Sequence, residues 1–238
     1  RIGEKITLIE TDSREGIDID NYSDWALANF HLNNLKIVLR ADGGNTLGFG
    51  HLYRILALAN LLIPNEIVIV TKKNEEFLIG YNFLKKFNYK IVTIENDHNF
   101  FTYIENYNPD IIINDILDTK ESYINSLKKN TKYIVNFEDL GSGSKKADLV
   151  INELYPSATF SENNNEFSGV EYSILNSLFE LKKQNEEVKK EVKKVLLTFG
   201  GTDPSNLSEL SLRAFELLKN NVEIIVVLGP GNINKKSI

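Results

Sequence analysis

The sequence predicts an α/β protein built on doubly wound, Rossmann-like parallel sheet. Three observations carry that expectation. Apolar runs of strand length, such as EIVIVT and DIIIN, are continuous rather than alternating, as strands covered on both faces require. The stretches between them place apolar residues at helical spacing. Glycine-rich turns follow two of the runs, at the strand ends where open parallel sheets hold their ligands.

Taken in order, GIDIDNYSDWALANFHLNN (16–34) places Asp18, Asp20 and Asp24 before a short amphipathic helix with no strand to accompany it. LKIVLRA (35–41) reads as a buried strand, followed by the glycine loop GGNTLGFG. A helix is expected from His51, because Leu52, Ile55, Leu56, Ala59, Leu62 and Ile63 form one apolar stripe. Strands are then predicted over 65–71, 89–94, 109–116, 131–139 and 147–154, separated by helices over 75–87, 99–107 and 120–129. This unit is assigned to residues 35–170.

The run ELKKQNEEVKKEVKK (180–194) pairs acids and bases three and four apart, the pattern of a solvated helix or connector, assigned to 171–194. Alternation resumes with a strand in KVLLTF, a helix in LSELSLRAFELLKN and a strand in VEIIVVLG. Two strands and one helix cannot bury a full sheet. Residues 195–238 are therefore expected to be the first part of a second, incomplete unit. A chain that starts at Arg1 and holds no methionine is likewise not expected to begin at a native N-terminus, so 1–34 reads as the end of something else.

Composition narrows the function. With 27 basic against 33 acidic residues and a formal charge of −6, the chain lacks the basic character of a nucleic-acid platform. No apolar run is long enough to span a membrane and no signal-peptide pattern is present, so a cytoplasmic protein with no membrane partner is expected. The absence of cysteine excludes disulfides and thiolate metal sites. No His/Asp/Glu group has metal-ligand spacing, so neither metal nor cofactor is expected at the main site.

Two loops could carry chemistry. His51 follows four glycines and begins a helix, where the positive end of the macrodipole disfavours its protonated form and suits it to act as a base. Arg54, one turn on, could attract a phosphate or orient a carboxylate. Asp42 at the strand end could orient the imidazole. The bland alternative stays open: His51 merely starts a helix and Asp42 caps a turn. The loop is neither a dinucleotide fingerprint nor a P-loop. Asp115 and Asp139 fall on neighbouring strand-end loops. In TFGGTDPSN (198–206), Gly200, Gly201, Thr202 and Asp203 lie between a strand and a helix, an arrangement that suits a diphosphate or an ordinary cap. Gly229 in LGPG adds a close-approach loop at the next strand end. His31 and His98 are expected to be exposed and inert.

RADGGNTLGFGHLYRILALA resembles the N-terminal signature of the UDP-sugar hydrolases of pseudaminic acid biosynthesis and the related glycosyltransferase-like proteins of spore coat polysaccharide synthesis. Arg40, Asp42, Gly43, Gly44, Gly48, Gly50, His51 and Arg54 match its R-x-D-G-G and G-x-G-H-x-x-R pattern. DIIINDILD, NFEDLGSGSKKADLVIN, GVEYSILNSLF and LLTFGGTDPSNLS match further along, in the same order, so the likeness spans about residues 35–231. It implies a GT-B-like architecture, two Rossmann-like domains facing a cleft. It also implies that His51 activates water against the anomeric carbon of a UDP-sugar, with Asp42 and Arg54 beside it. Arg40, Gly43, Gly44, Asn45, Gly48, Gly50, Asp115, Gly200, Gly201, Thr202, Asp203 and Gly229 would then approach the substrate. GIDIDNYSDWALA resembles the closing motif of acylneuraminate cytidylyltransferases, whose paired acids help hold magnesium. With the rest of that domain absent, Asp18 and Asp20 are expected to be metal-free, and a fusion of two enzymes is implied. The competing reading is a surface helix with an acidic cap.

The function so implied is release of UDP from a UDP-linked diacetamido-trideoxy sugar in nonulosonic acid synthesis. Transfer of the sugar to a polysaccharide hydroxyl, and non-catalytic binding of a nucleotide-sugar, are the alternatives.

Overall fold

The computed structural model describes residues 16–154, 165–176, 178–181, 191–217 and 222–232. Residues 1–15, most of the charged run and the stretch after 232 lie outside them. Seven strands form one parallel sheet: β1 (Lys36–Ala41), β2 (Glu66–Lys72), β3 (Lys90–Ile94), β4 (Ile111–Asp115), β5 (Tyr133–Phe137), β6 (Leu149–Asn152) and β7 (Glu166–Ser168). Their order is β3-β2-β1-β4-β5-β6-β7. The order reverses between β1 and β4, and loops leaving those two strands diverge there to open a crevice.

The period of two along each strand decides which side chain meets which helix. Ile37, Leu39 and Ala41 of β1 and Ile113 of β4 join one core cluster with α2 (Gly50–Leu61) and α3 (Leu78–Leu84). Val38 and Ile112 join the opposite cluster, under α4 (Asp97–Tyr107) and α5 (Glu121–Leu127). The predicted helical stripe is buried at Leu52, Ile55, Leu56 and Ala59. The helix ends at Leu61, which leaves Ile63 exposed.

Helix α1 (Tyr22–Asn33) is present but not amphipathic against this fold: none of its residues is buried, and Tyr22, Trp25, Leu27, Phe30 and Leu32 are exposed. Its acids serve the helix start. The Asn21 side chain accepts from the Ser23 and Asp24 amides, and Asp24 accepts from the Asn21 amide in return, a capping box. Beyond the sheet, a four-residue helix α6 (Leu178–Leu181) precedes a second parallel pair, β8 (Lys194–Thr198) and β9 (Glu223–Val227), joined by α7 (Leu207–Leu217). No described helix is long and apolar enough to cross a membrane.

The glycine loop is held from beneath by a buried ion pair. Arg40, 1% exposed, places NH1 2.7 Å and NH2 2.6 Å from the two carboxylate oxygens of Asp42. Asp42 also accepts from the Lys72 amide at 2.7 Å, tying β1 to the end of β2. Burial works against the charged Asp42, but Arg40 and the Lys72 amide outweigh it and keep its pKa below the ordinary value. The loop then folds on itself through Gly44 and Gly48, which exchange backbone hydrogen bonds at 3.2 and 2.9 Å. Gly48 has φ 77°, a conformation glycine adopts without strain.

Gly80 of α3 packs directly on this loop. A methyl group there would collide with the Gly43 carbonyl. Replacing a helical glycine by alanine ordinarily stabilises by about 0.5–1 kcal/mol. Here the sign should reverse: we expect Gly80→Ala to lose about 1–3 kcal/mol, the cost of an overpacked site. Urea unfolding of the two proteins measures it, and a gain in stability would show that the loop is not seated on α3.

Candidate active site

Asp115 ends β4 in phase with Ile111 and Ile113, so its carboxylate emerges on the face covered by α2. Asp42 shares the phase of Val38 and Arg40 and belongs to the other face. This alternation corrects the expected orienting acid. His51 Nδ1 lies 2.6 Å from Asp115 Oδ1, with a sequence separation of 64 residues. Asp42 is spent on Arg40. Asp115, expected to touch substrate, holds the imidazole instead. An ionised carboxylate can only accept, so Nδ1 carries the proton and donates it to Asp115. In the neutral ring Nε2 is then the atom with the free lone pair. The His51 side chain keeps 11% of its surface exposed, while that of Asp115 keeps none.

Arg54, one helical turn from His51, is enclosed by carboxylates. Its Nε donates to Asp115 Oδ2 at 2.8 Å, and its NH1 to Glu138 Oε1 at 3.1 Å and Glu153 Oε1 at 2.6 Å. The guanidinium also lies over the Phe137 ring, 5.3 Å from its centroid. In this arrangement it orients acids, the second of the two roles open for it. Glu138 and Glu153 were missed by sequence reasoning. Glu153 continues the phase of Leu149 and Ile151 beyond β6 and could have been found that way. Glu138 could not, because its phase points to the opposite face. A left-handed backbone, φ 52°, turns it toward Arg54.

Arg40 is buried on Asp42, Gly43 packs under Leu52, and Gly44 lies against the Glu76 carbonyl. Asn45 is exposed at the tip of the loop, and Gly50 opens α2 with space around its Cα. Asp139 is buried and accepts from Thr119 and from the Asn136 side chain at 2.6 Å. His98 is exposed on α4, as expected, and His31 lies in the last turn of α1, half-buried.

The bend Gly200–Asp203 reaches the start of α2: a Cβ on Gly201 would sit 3.0 Å from the Phe49 side chain, two residues before His51. Gly229 packs on the carbonyls of Gly200 and Gly201, and Thr202 is buried against Gly231. Asp203, at φ 46°, accepts from the Leu207 and Ser208 amides at 2.8 and 2.9 Å. Burial works against the charged form, but the Ser208 side chain and these two amides outweigh it and lower its pKa. Its carboxylate therefore caps α7 and occupies two of the amides at the start of that helix.

A cavity of about 710 Å³ lies along the outer side of α2. Gly50, Tyr53, Arg54 and Ala57 form one wall, Glu153 lies at the edge, and Ile174, Leu175, Leu178 and Phe179 close the other side. Glu153 links the walls, since its Oε2 accepts from the Ile174 amide at 3.1 Å.

No protein-family model matches the chain. It is 33% identical over 210 residues to an uncharacterized protein of Methanocaldococcus jannaschii, a match covering 82% of this chain and 43% of that one. It is 25% identical over 182 residues to the spore coat polysaccharide biosynthesis protein SpsG of Bacillus subtilis, covering 73% of this chain and 52% of SpsG. SpsG is thus a distant homologue, and the chain spans about half the length of the curated relatives it matches.

The geometry around His51 fixes an observable tautomer. Nitrogen NMR of the imidazole should show the neutral ring protonated at Nδ1, and Asp115→Ala should return the mixture of tautomers usual for a free histidine. A ring protonated at Nε2 in the intact protein would refute the assignment.

Proposed function

We propose that the protein cleaves a nucleotide-linked sugar, with His51 Nε2 as the base that takes a proton from water as its oxygen attacks the anomeric carbon. The observation that carries this reading is the 2.6 Å contact from His51 Nδ1 to Asp115, which leaves Nε2 as the free lone pair. Positioned base catalysis of this kind contributes roughly 10²–10⁴-fold. The bond from the anomeric carbon to the diphosphate oxygen breaks as the water oxygen bonds, with inversion at that carbon. The departing diphosphate takes the electron pair, where donors aimed at the developing charge contribute most. The backbone of Gly200 and Gly201 beside Phe49 suits that role, and the cavity along α2 offers space for the sugar. As written, the step calls for no metal or cofactor.

The distant homology to SpsG supports a place in polysaccharide biosynthesis. The finer reading is a UDP-linked diacetamido-trideoxy sugar hydrolysed on a nonulosonic acid route. In it, residues 35–170 carry the base, 195–238 begin the nucleotide-binding domain across a GT-B-like cleft, and 1–34 are the tail of a cytidylyltransferase-like domain. The name of SpsG favours a second reading equally: the same base deprotonating a sugar hydroxyl, so that the sugar is transferred to a growing polysaccharide.

His51→Asn should lower turnover by about 10²-fold or more while UDP binding persists. Full activity in that variant would end the assignment. Incubation of the wild-type protein with UDP-sugars and no acceptor separates the two readings: free sugar released with UDP supports hydrolysis, and UDP release that requires an added acceptor supports transfer.

A further inference from the structure

Around Arg54 the charges do not balance. Asp115, Glu138 and Glu153 all bond to this single guanidinium, and the only other ionisable ring in contact with them among the described residues is His51, on Asp115. Glu138 is 4% exposed. Its Oε1 is satisfied by Arg54 and by the Glu153 amide, at 3.1 and 2.9 Å. Its Oε2 is buried and, among the described residues, has no hydrogen-bond partner. A buried carboxylate oxygen with no protein donor is among the most costly groups a fold can hold. The left-handed backbone at Glu138 shows that the chain accepts strain to place it there.

We propose that Glu138 holds a proton on Oε2 in the neutral protein, so that the cluster consists of two carboxylates, one guanidinium and one neutral acid. A neutral Glu138 still accepts through Oε1, but it no longer competes as an anion for Arg54. The guanidinium is then anchored on Asp115 from one side and Glu153 from the other, and Asp115 keeps its orientation toward His51. Glu138 acts here as a positioning residue. Among the described residues the charged groups facing it are Arg54 from α2 and Glu153 after β6, and only the first is a cation. Burial pushes the Glu138 carboxyl above its ordinary value, against the opposing pull of Arg54, which agrees with the geometry. The inference does not depend on which reaction His51 serves.

The test is spectroscopic and uses the full chain. Infrared spectra at neutral pH should show the C=O stretch of a protonated carboxyl. It should shift when glutamate is labelled with carbon-13 and disappear in Glu138→Gln, whose amide mimics the protonated acid in shape. Absence of any protonated-glutamate band in the wild-type protein overturns the proposal, whether or not the variant folds. Stability gives a second readout. An acid whose folded pKa is raised contributes fully below its ordinary pKa and loses that contribution as pH rises through the folded value. Wild type should therefore lose stability relative to Glu138→Gln as pH climbs from about 4.5 through the neutral range. A difference that stays constant with pH would also overturn the proposal.

Discussion

The site depends on one guanidinium. Arg54 gathers acids from the ends of three adjacent strands, β4, β5 and β6, and joins their side chains at the tips of the paired backbone. Removing such a buried ion generally leaves its partners uncompensated, at a cost of about 3–5 kcal/mol, although the intact cluster is weak evidence of net stabilisation. Its worth lies in specificity. Arg54 and His51 sit one turn apart on the same helix, so the arginine that locks Asp115 also fixes where Asp115 meets the imidazole.

A second ion pair does the corresponding work on the other face. Arg40 and Asp42 are buried together below the glycine loop, and the Lys72 amide completes the Asp42 shell. The loop can then be short of side chains because its path is dictated from below, by Asp42, and from the side, by Gly80 of α3. The resemblance in the sequence groups Arg40, Asp42, His51 and Arg54 as one motif, and the structure divides it by strand phase. The first two build the support and the last two face the crevice.

Much of this was legible. Continuous apolar runs located β1 to β6 and the second parallel pair, because strands covered on both faces must be apolar throughout. β7 was not legible: Glu166–Ser168 is three residues long, pairs only on one side, and has no periodicity to detect. α3 came out shorter than its apolar pattern, since the preceding residues form a turn in which the Phe77 amide bonds back to Asn74. At the site, His51 and Arg54 announced themselves through the glycine loop. Asp42 was expected to orient the imidazole from its place at a strand end, whereas the phase of β4 puts Asp115 there. Glu138 had no readable signal, because a single left-handed residue reverses its direction.

Glu153 shows how the two halves of the crevice are joined. Its carboxylate divides between Arg54, through Oε1, and the Ile174 amide, through Oε2. Ile174 begins the segment that walls the cavity along α2. Any displacement of that segment must therefore either break the Ile174 bond, taking a donor from Glu153 Oε2, or pull Glu153 away from Arg54. The second course would leave Arg54 with Asp115 and Glu138 alone and loosen the helix turn that carries His51. Both courses cost free energy, so the segment is held where it lies by the same guanidinium that sets the imidazole, and the cavity and the base form a single mechanical unit.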